Sequence, residues 1–264
     1  GVGFYRPHVP MYATKKWFDM HPKEKIKLPL VRKNDRNDLS QYAIDLTNLK
    51  HVSPTHKWVS EAGQWEHAVQ SYLASVTFAD HCLGLVLDAL ESSDYASNTV
   101  IALFSDHGFH LGEKARWAKR SLWEDGTRVP IIVSAPGHKA GQKTNRPAEL
   151  LDVFPTLLEL AGLPADSTQE GQSLVPLMKN PKKEWNYPAI TSFGLGNYSV
   201  RSTRYRFIQY FDGSRELYDL SKDPHEWKNL ANNPKNKSII EEHAAHLPKK
   251  EHPILPGGST GHNA

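Results

Sequence analysis

The sequence has very little cysteine, no long basic tract and no long apolar run. Its single cysteine, Cys82, excludes an internal disulfide bond and falls in a helical pattern, where we expect a buried, inert thiol. The formal net charge is only +3, and no Lys/Arg tract is long enough to indicate nucleic-acid binding. The apolar runs are too short to predict a membrane-spanning segment. We therefore expect neither nucleic acid nor membrane among the partners.

The first residues also lack the features of a natural amino terminus. Residues 1–5, GVGFY, are neither a signal peptide nor an initiator sequence. Their apolar and aromatic character is typical of the middle of a β-strand. The sequence therefore predicts a strand here and a chain that is a piece of a longer protein.

What is present indicates one large α/β domain. The chain has 264 residues, 39% of them hydrophobic, which is enough for a substantial core. Apolar residues at three- and four-residue spacing predict a long helix over 65–91. The run 99–104 predicts a buried strand, and 128–134 predicts another. A helix followed by a buried strand is typical of a crossover unit, so we expect a mostly parallel sheet sandwiched by helices.

The pattern changes towards the carboxyl end. A helix is predicted over 148–161, with Pro155 in its first turn or at a kink. Short alternating segments then predict an antiparallel meander, followed by a helix. These strands are 189–193, 198–203, 205–210 and 216–220, and the helix is 238–246. The predicted divisions are 1–187 for the main α/β domain, 188–246 for a small antiparallel subdomain and 247–264 for an extended tail.

A long segment near the amino end shows little periodicity. Loops as long as residues 11–64 are usually functional lids or walls. His51, His56, Trp58 and Trp65 are candidate pocket-wall residues within or next to it.

The residues with the clearest chemical character follow the strand 99–104. Asp106-His107-Gly108 places a carboxylate and an imidazole beyond the carboxyl end of a buried strand, where α/β proteins bind ligands. A hard cation favours the carboxylate oxygen, and glycine permits a tight turn. Lys119 and Arg116 could add positive charge for an anionic substrate. The alternative is a solvated turn with no ligand.

A second candidate lies near the amino end. His8 stands between Pro7 and Pro10, which restrict the backbone around it. A histidine held in this way is a candidate acid or base, or else a surface histidine in a loop.

Taken together and in order, these segments resemble the sulfatases of the alkaline phosphatase superfamily, particularly the iduronate-2-sulfatase-like and choline-sulfatase-like group. The matching segments are 3–10 (GFYRPHVP), 72–80 (YLASVTFAD), 104–113 (FSDHGFHLGE), 117–119 (WAK), 129–131 (VPI), 151–156 (LDVFPT) and 216–220 (ELYDL). The resemblance implies the alkaline phosphatase-like fold and hydrolysis of a sulfate ester.

The resemblance also implies roles for individual residues. Asp106 and His107 are expected to hold a divalent cation, usually calcium, and Lys119 is expected to bind the sulfate oxygens. His8 is expected near the leaving-group oxygen, as the proton donor. His110 and Asn197 are weaker candidates for substrate contacts. A sulfated carbohydrate is the expected substrate, and export from the cytoplasm is the expected localisation.

Two features of such sulfatases are missing from the sequence. The Cys/Ser-x-Pro/Ala-x-Arg motif that yields formylglycine is absent, and so is the early Asp-Asp pair of metal ligands. Cys82 is followed by Leu83-Gly84, so it does not match the motif. We therefore expect a carboxyl-terminal portion of a sulfatase, with the nucleophile on an N-terminal segment or another chain, and no turnover by this chain alone.

Three alternatives remain open at this point. One is a phosphodiesterase or phosphonate monoester hydrolase of the same superfamily. Another is a non-catalytic fragment that packs on a partner chain. The third is an α/β domain with an incidental Asp-His-Gly.

Overall fold

A computed structural model describes residues 1–48 and 54–250. His51 and residues 251–264 of the predicted tail lie outside the described residues. The α-helices are α1 Lys15–Asp19, α2 Gln41–Thr47, α3 His56–Glu61, α4 Trp65–Glu91, α5 Glu124–Thr127, α6 Val153–Leu160, α7 Val175–Lys179 and α8 Lys237–Ala244. The strands are β1 Ile101–Phe104, β2 His110–Leu111, β3 Trp117–Ala118, β4 Ile131–Ser134, β5 Ala189–Ser192, β6 Tyr198–Arg201, β7 Tyr205–Gln209 and β8 Arg215–Asp219.

The described strands pair into three small sheets. β1 pairs with β4 so that Ile101 faces Ser134 and Phe104 faces Ile131. β2 and β3 form a two-residue hairpin ladder. β5, β6, β7 and β8 follow one another in a four-stranded meander, as the alternating pattern predicts.

The direction of the β1–β4 pair differs from the parallel arrangement expected for a crossover. Every strand pair in the described part of the chain is antiparallel. The reason lies in the connection between β1 and β4, which holds the β2–β3 hairpin and the short helix α5. A parallel pair requires a crossover, usually a helix that runs back along the strands, whereas this connection holds only a hairpin and the four-residue helix α5.

The prediction of a strand at residues 1–5 is wrong. These residues adopt no regular secondary structure. A strand requires a neighbour with which to exchange backbone hydrogen bonds, and no described strand pairs with this segment.

Several predicted elements are confirmed. Helix α4 covers the predicted range, and Pro155 is the third residue of α6, in the first turn, where proline is tolerated. The described part of the aperiodic segment 11–64 contains three short α-helices. Two of these helices have side-chain caps, because Ser40 Oγ accepts from the Ala43 amide and Thr55 Oγ1 from the Trp58 amide.

The meander packs against the segment that follows β3. Trp123 is buried together with Ile208 and Tyr218 in one apolar cluster. The fully buried carboxylate of Glu216 accepts hydrogen bonds from Trp123 Nε1 at 2.7 Å, Tyr218 Oη at 2.8 Å and Tyr210 Oη at 2.9 Å. Core contacts therefore join residues on both sides of the predicted domain boundary between 187 and 188. The boundary itself stays a prediction.

Helix α4 has one packed side and one open side. Trp17 of α1 lies 5.9 Å from Phe78 and 5.0 Å from His81, measured between ring centroids. Leu85 on the same helix is 56% exposed, and Cys82 is half-buried rather than buried.

By length and composition α4 could cross a membrane. It has 27 residues, and its most apolar window has a mean hydropathy of 1.4. This differs from the sequence-based expectation that no apolar run is long enough. A single helix of this kind is weak support for a membrane span.

The meander contains an ion pair whose effect on stability should depend on pH. Arg204 Nε donates to Asp219 Oδ1 at 3.0 Å and Arg204 Nη2 to Oδ2 at 2.5 Å, and these hydrogen bonds lower the pKa of Asp219 to about 2. A lowered carboxyl pKa stabilises the fold above pH 4, and the contribution is lost as the pH falls towards 2. Because the Arg204 side chain is largely open to solvent, we expect Arg204→Ala to lower the free energy of unfolding at pH 7 only modestly.

Urea unfolding at several pH values checks this expectation. The difference between the wild type and Arg204→Ala should shrink as the pH falls from 4 to 2. Lys15→Ala, which breaks the exposed Lys15–Asp19 pair on α1, is the control and should change stability little at any pH. A difference for Arg204→Ala that is constant with pH would contradict the assignment.

Candidate active site

Asp106 and His107 follow directly after β1, where the chain leaves the sheet. His107 Nδ1 lies 2.7 Å from the Gly108 carbonyl oxygen, to which it donates as the Nδ1–H tautomer. The other ring nitrogen, Nε2, lies 3.5 Å from Asp106 Oδ2. The Asp106 side chain is 82% exposed. An oriented imidazole beside an open carboxylate is a suitable arrangement for two ligands of one cation.

Glycine is required at position 108 because the backbone of α5 comes so close that no side chain fits, and not because the backbone turns into the left-handed region. A Cβ atom at this position would lie 2.1 Å from the carbonyl oxygen of Asp125. The Gly108 amide also donates to the Gly126 carbonyl oxygen at 3.0 Å. The turn that carries Asp106 and His107 is therefore pressed directly against the backbone of α5, which fixes its position.

The backbone around Lys119 is unusual. Ala118 and Arg120, on either side of it, have φ angles of 65° and 67°, in the left-handed region that residues other than glycine seldom adopt. Lys114 and Ala115, earlier in the same segment, are left-handed as well, with φ angles of 55° and 52°. Such conformations persist only where the surroundings enforce them, and they are concentrated at functional sites.

Arg116 is one of the groups that hold this segment. Its side chain is buried, and its Nη2 donates to the Lys119 carbonyl oxygen. Burial, with a further contribution from Arg120, lowers the pKa of Arg116 to about 10, so the guanidinium stays charged at neutral pH. Lys114 is also buried, where its Nζ donates to Asp35 Oδ1 at 2.9 Å, away from any substrate. Arg116 therefore anchors the main chain of Lys119 and leaves the Lys119 side chain available.

His8 and Lys119, separated by 111 positions in the sequence, meet in the structure. Lys119 Nζ lies 3.4 Å from His8 Nε2, and His8 Nδ1 lies 2.6 Å from the Val9 carbonyl oxygen. Asp106, His107 and Lys119 all line one cavity of about 1570 Å³. The structure thus places three of the four residues for which the sequence predicts metal binding or catalysis along one cavity, and the fourth, His8, against Lys119.

The two weaker candidates for substrate contacts are placed differently. His110 is fully buried, and its Nε2 lies 2.7 Å from Ser121 Oγ. Asn197 is buried as well, and its amide group donates to the carbonyl oxygens of Phe193 and Leu195, which closes a turn. Neither side chain lines the cavity with Asp106 and Lys119, so neither is positioned to contact a substrate there.

A buried ionic network behind Lys119 has no counterpart among the sequence predictions. Arg206 of β7 donates to the Leu122 carbonyl oxygen at 3.0 Å and pairs with Glu226 at 2.8 Å and with Glu124. Burial raises the pKa of Glu226 to about 7. No sequence motif marks these residues. Arg206 lies about 80 positions after Glu124 and 20 positions before Glu226, so the three side chains meet only in the folded chain.

Known proteins resemble this chain in sequence and in structure. A family model described as "Sulfatase" matches residues 2–163, and a model described as "N-sulphoglucosamine sulphohydrolase, C-terminal" matches residues 112–252. The chain belongs to the sulfatase family. Its fold is that of the alkaline phosphatase superfamily, as the resemblance implies.

Individual sulfatases support the assignment. A sulfatase of Formosa agariphila is 46% identical over 94% of this chain and 49% of its own length. A Delta 4,5-hexuronate-2-O-sulfatase of Bacteroides thetaiotaomicron is 29% identical over 86% of this chain and 51% of its own. The chain therefore spans about half the length of these curated sulfatases.

Solved structures agree with the fold. A 2-O GAG sulfatase covers 83% of this chain and 51% of its own, with 28% identity and a TM-score of 0.62. A phosphonate monoester hydrolase of Agrobacterium radiobacter has a TM-score of 0.77, with 91% of this chain and 54% of its own covered. Because this hydrolase is only 23% identical, it supports the fold of the sulfatase chain and not a substrate.

The close approach at Gly108 gives a testable consequence for the sulfatase site. In Gly108→Ala the new methyl group must displace the backbone of α5, so we expect a loss of about 1–3 kcal/mol in the free energy of unfolding. The turn that carries Asp106 and His107 should also shift, which should weaken the cation binding that the family resemblance implies for these residues. Denaturant unfolding and calcium titration of the complete protein measure the two effects.

Gly84→Ala is the matched control, since a Cβ at this helical position meets nothing within 4 Å. It should leave stability unchanged or raise it by up to about 1 kcal/mol. Equal behaviour of the two variants would show that the close approach at Gly108 does not constrain the turn.

Proposed function

We propose that these residues form the cation-binding and sulfate-binding half of a sulfuric ester hydrolase. The observation that carries the proposal is the convergence of the four residues. Asp106, His107 and Lys119 line one cavity, and His8 contacts Lys119 at its edge. A carboxylate, two imidazoles and an ammonium group together suit an anionic ester held next to a cation.

Asp106 and His107 would hold a divalent cation, for which calcium is the expected identity. Asp106 offers an open carboxylate, and His107 offers an oriented Nε2. When bound, the cation neutralises negative charge on the sulfate group. Calcium takes about six to eight ligands, so two protein ligands from this chain are part of a larger set.

Lys119 would bind the sulfate oxygens, and His8 would supply the proton that the leaving alkoxide needs. His8 Nδ1 donates to the Val9 carbonyl oxygen, and Nε2 faces Lys119 Nζ at 3.4 Å. To act as the proton donor, the ring would carry a second proton, on Nε2. When Lys119 turns to the sulfate, Nε2 becomes available to the bridging oxygen. General acid catalysis of this kind typically contributes about 10²- to 10⁴-fold to the rate.

The rest of the centre is proposed to come from outside these 264 residues. The formylglycine nucleophile and the other acidic cation ligands would lie on an N-terminal sulfatase segment or a partner chain. Two observations support this. The chain spans about half the length of its curated relatives, and it contains no formylglycine motif. We therefore expect no turnover by this chain alone.

The surface left open by this chain fits the same proposal. Phe104 of β1 is 49% exposed, Ile132 of β4 is 56% exposed, and Leu85 of α4 is open as well. A two-stranded sheet is marginally stable by itself and needs further strands or helices on its faces. We propose that the remainder of the sulfatase covers these apolar faces, which would also account for the apolar exposed side of α4.

The proposed substrate is a sulfated carbohydrate. The relatives named above include a Delta 4,5-hexuronate-2-O-sulfatase and a 2-O GAG sulfatase. The cavity that contains Lys119 is also lined by Arg128, Lys139 and Lys143, which suits a polyanionic sugar. Such substrates occur outside cells, so an extracytoplasmic location is part of the proposal.

Turnover by the complete protein, with its formylglycine in place, tests the function. We expect hydrolysis of sulfated disaccharides and of an aryl sulfate, and little hydrolysis of an aryl phosphonate. Lys119→Ala should lower kcat/KM by about 100-fold or more, because it removes a charge that contacts the reacting group. Lys15→Ala, on the exposed end of α1, should leave it unchanged. Preference for the phosphonate would favour the phosphonate monoester hydrolase alternative instead.

A leaving-group series tests the role of His8. In His8→Gln, hydrolysis of a sugar sulfate should fall about 100-fold or more, because its alkoxide needs a proton. Hydrolysis of 4-nitrophenyl sulfate should fall far less, since nitrophenolate leaves without one. Equal losses on both substrates would assign His8 a positioning role in place of proton donation.

A further inference from the structure

A second group of potential metal ligands lies behind the site, in residues for which the proposed function has no use. His110, Glu113 and Asp125 each present a ligand atom, and these atoms lie within 4.8 Å of one another. His110 belongs to β2, Glu113 begins the turn after it, and Asp125 belongs to α5. Three separate parts of the segment 110–125 therefore converge on one point.

The histidine has an unused nitrogen atom. The His110 side chain is fully buried, its Nε2 is engaged by Ser121 Oγ at 2.7 Å, and its Nδ1 makes no well-formed hydrogen bond, although the Glu113 main chain lies beside the ring. A buried polar atom without a partner is costly and calls for an explanation. Burial lowers the pKa of His110 to about 3, so the ring is neutral at physiological pH, as a metal ligand must be.

The two carboxyl groups are crowded together. Burial raises the pKa of Glu113, whose carboxylate accepts from the Leu111 amide at 2.7 Å, and the neighbouring charge of Asp125 also raises it. Burial raises the pKa of Asp125 as well, and so does the charge of Glu124, although Asp125 keeps contact with solvent. Several groups nearby can carry positive charge. Lys114 is tied to Asp35, Arg206 is tied to Glu226, and His225, which stacks on Trp227, faces both carboxyl groups. A divalent ion between the carboxylates would relieve this repulsion.

We propose that His110, Glu113 and Asp125 form a second metal site, distinct from Asp106 and His107, that binds a borderline divalent ion such as Zn²⁺. One imidazole and two carboxylates are a ligand set that suits Zn²⁺ or Co²⁺ better than calcium. The exposed position of Asp125 gives the ion access and leaves room for water as a further ligand. Bound there, the ion links β2 to α5 and so braces the segment that carries Lys119.

Cobalt titration of the complete protein tests this site. The protein is first stripped of metal and then held in excess calcium, so that the Asp106–His107 centre is filled. Co²⁺ is added while its visible absorbance is recorded, and Zn²⁺ is then added as a competitor. We expect one equivalent of Co²⁺ per chain, with imidazole–carboxylate absorbance that Zn²⁺ abolishes, and a higher Tm with Zn²⁺ than without.

Variants locate the bound ion. Because Asp125 is exposed, the variant Asp125→Asn should fold normally. It should weaken Co²⁺ binding by about tenfold or more, since removing a residue that merely hydrogen-bonds to a metal ligand already costs about tenfold in affinity. Glu113→Gln should weaken it as well. Asp94→Asn, an exposed aspartate beyond α4, and Asp106→Asn should retain both the absorbance and the affinity.

Two outcomes would overturn the proposal. One is the absence of Co²⁺ absorbance in the wild type. The other is absorbance that Asp106→Asn removes and Asp125→Asn leaves unchanged. Neither outcome depends on sulfate ester hydrolysis, so failure of the second site and failure of the proposed function can be distinguished.

Discussion

The buried guanidinium of Arg206 supports the whole arrangement around Lys119. It lies on the central part of the meander and reaches across to the Leu122 carbonyl oxygen, to Glu124 and to Glu226. A buried cation is tolerable only when its hydrogen bonds and counter-charges are provided, and removing one partner leaves a costly unpaired charge. The meander and the segment 119–126 are therefore fixed relative to each other by electrostatics as well as by the packing of Trp123.

Helix α5 transmits this constraint to the turn that carries Asp106 and His107. Its Gly126 carbonyl oxygen receives the Gly108 amide, and a Cβ on Gly126 would lie 2.2 Å from Ser121 Oγ. Glycine is thus required on both sides of the contact. The turn with Asp106 and His107, the loop with Lys119 and the meander form one connected unit, although the sequence distributes them over about 100 positions.

Much of this can be predicted from the sequence, and the successes have a common physical basis. The 3.6-residue periodicity of α4 and the alternation of the meander follow from which faces are buried, so local pattern is sufficient. His8, Asp106, His107 and Lys119 stand out because their motifs occur in order in a known family. The convergence of His8 with Lys119 is expected from that resemblance alone, since no local rule connects positions so far apart.

The predictions that were wrong also share a cause. Each depends on contacts between residues distant in sequence, which the periodicity of a local segment does not reveal. The strand predicted at residues 1–5 requires a neighbouring strand, and the direction of β1 relative to β4 depends on the path of their connection. His110 follows the Asp-His pair in sequence, yet the alternation of side chains along β2 turns it into the interior. Gly108 matters as the sequence predicts, but the reason is a neighbour 17 positions away rather than its own φ angle.

The hydrogen bond from Arg116 to the main chain of residue 119 has a practical consequence. The guanidinium holds a main-chain carbonyl oxygen, a group that every amino acid possesses, so the path of the loop does not depend on which side chain it carries. Replacing that side chain should therefore leave the shape of the cleft intact. In a complete protein that acts as proposed, such a variant would lose one sulfate contact and nothing else, so the share of that contact in binding and in turnover could be measured separately.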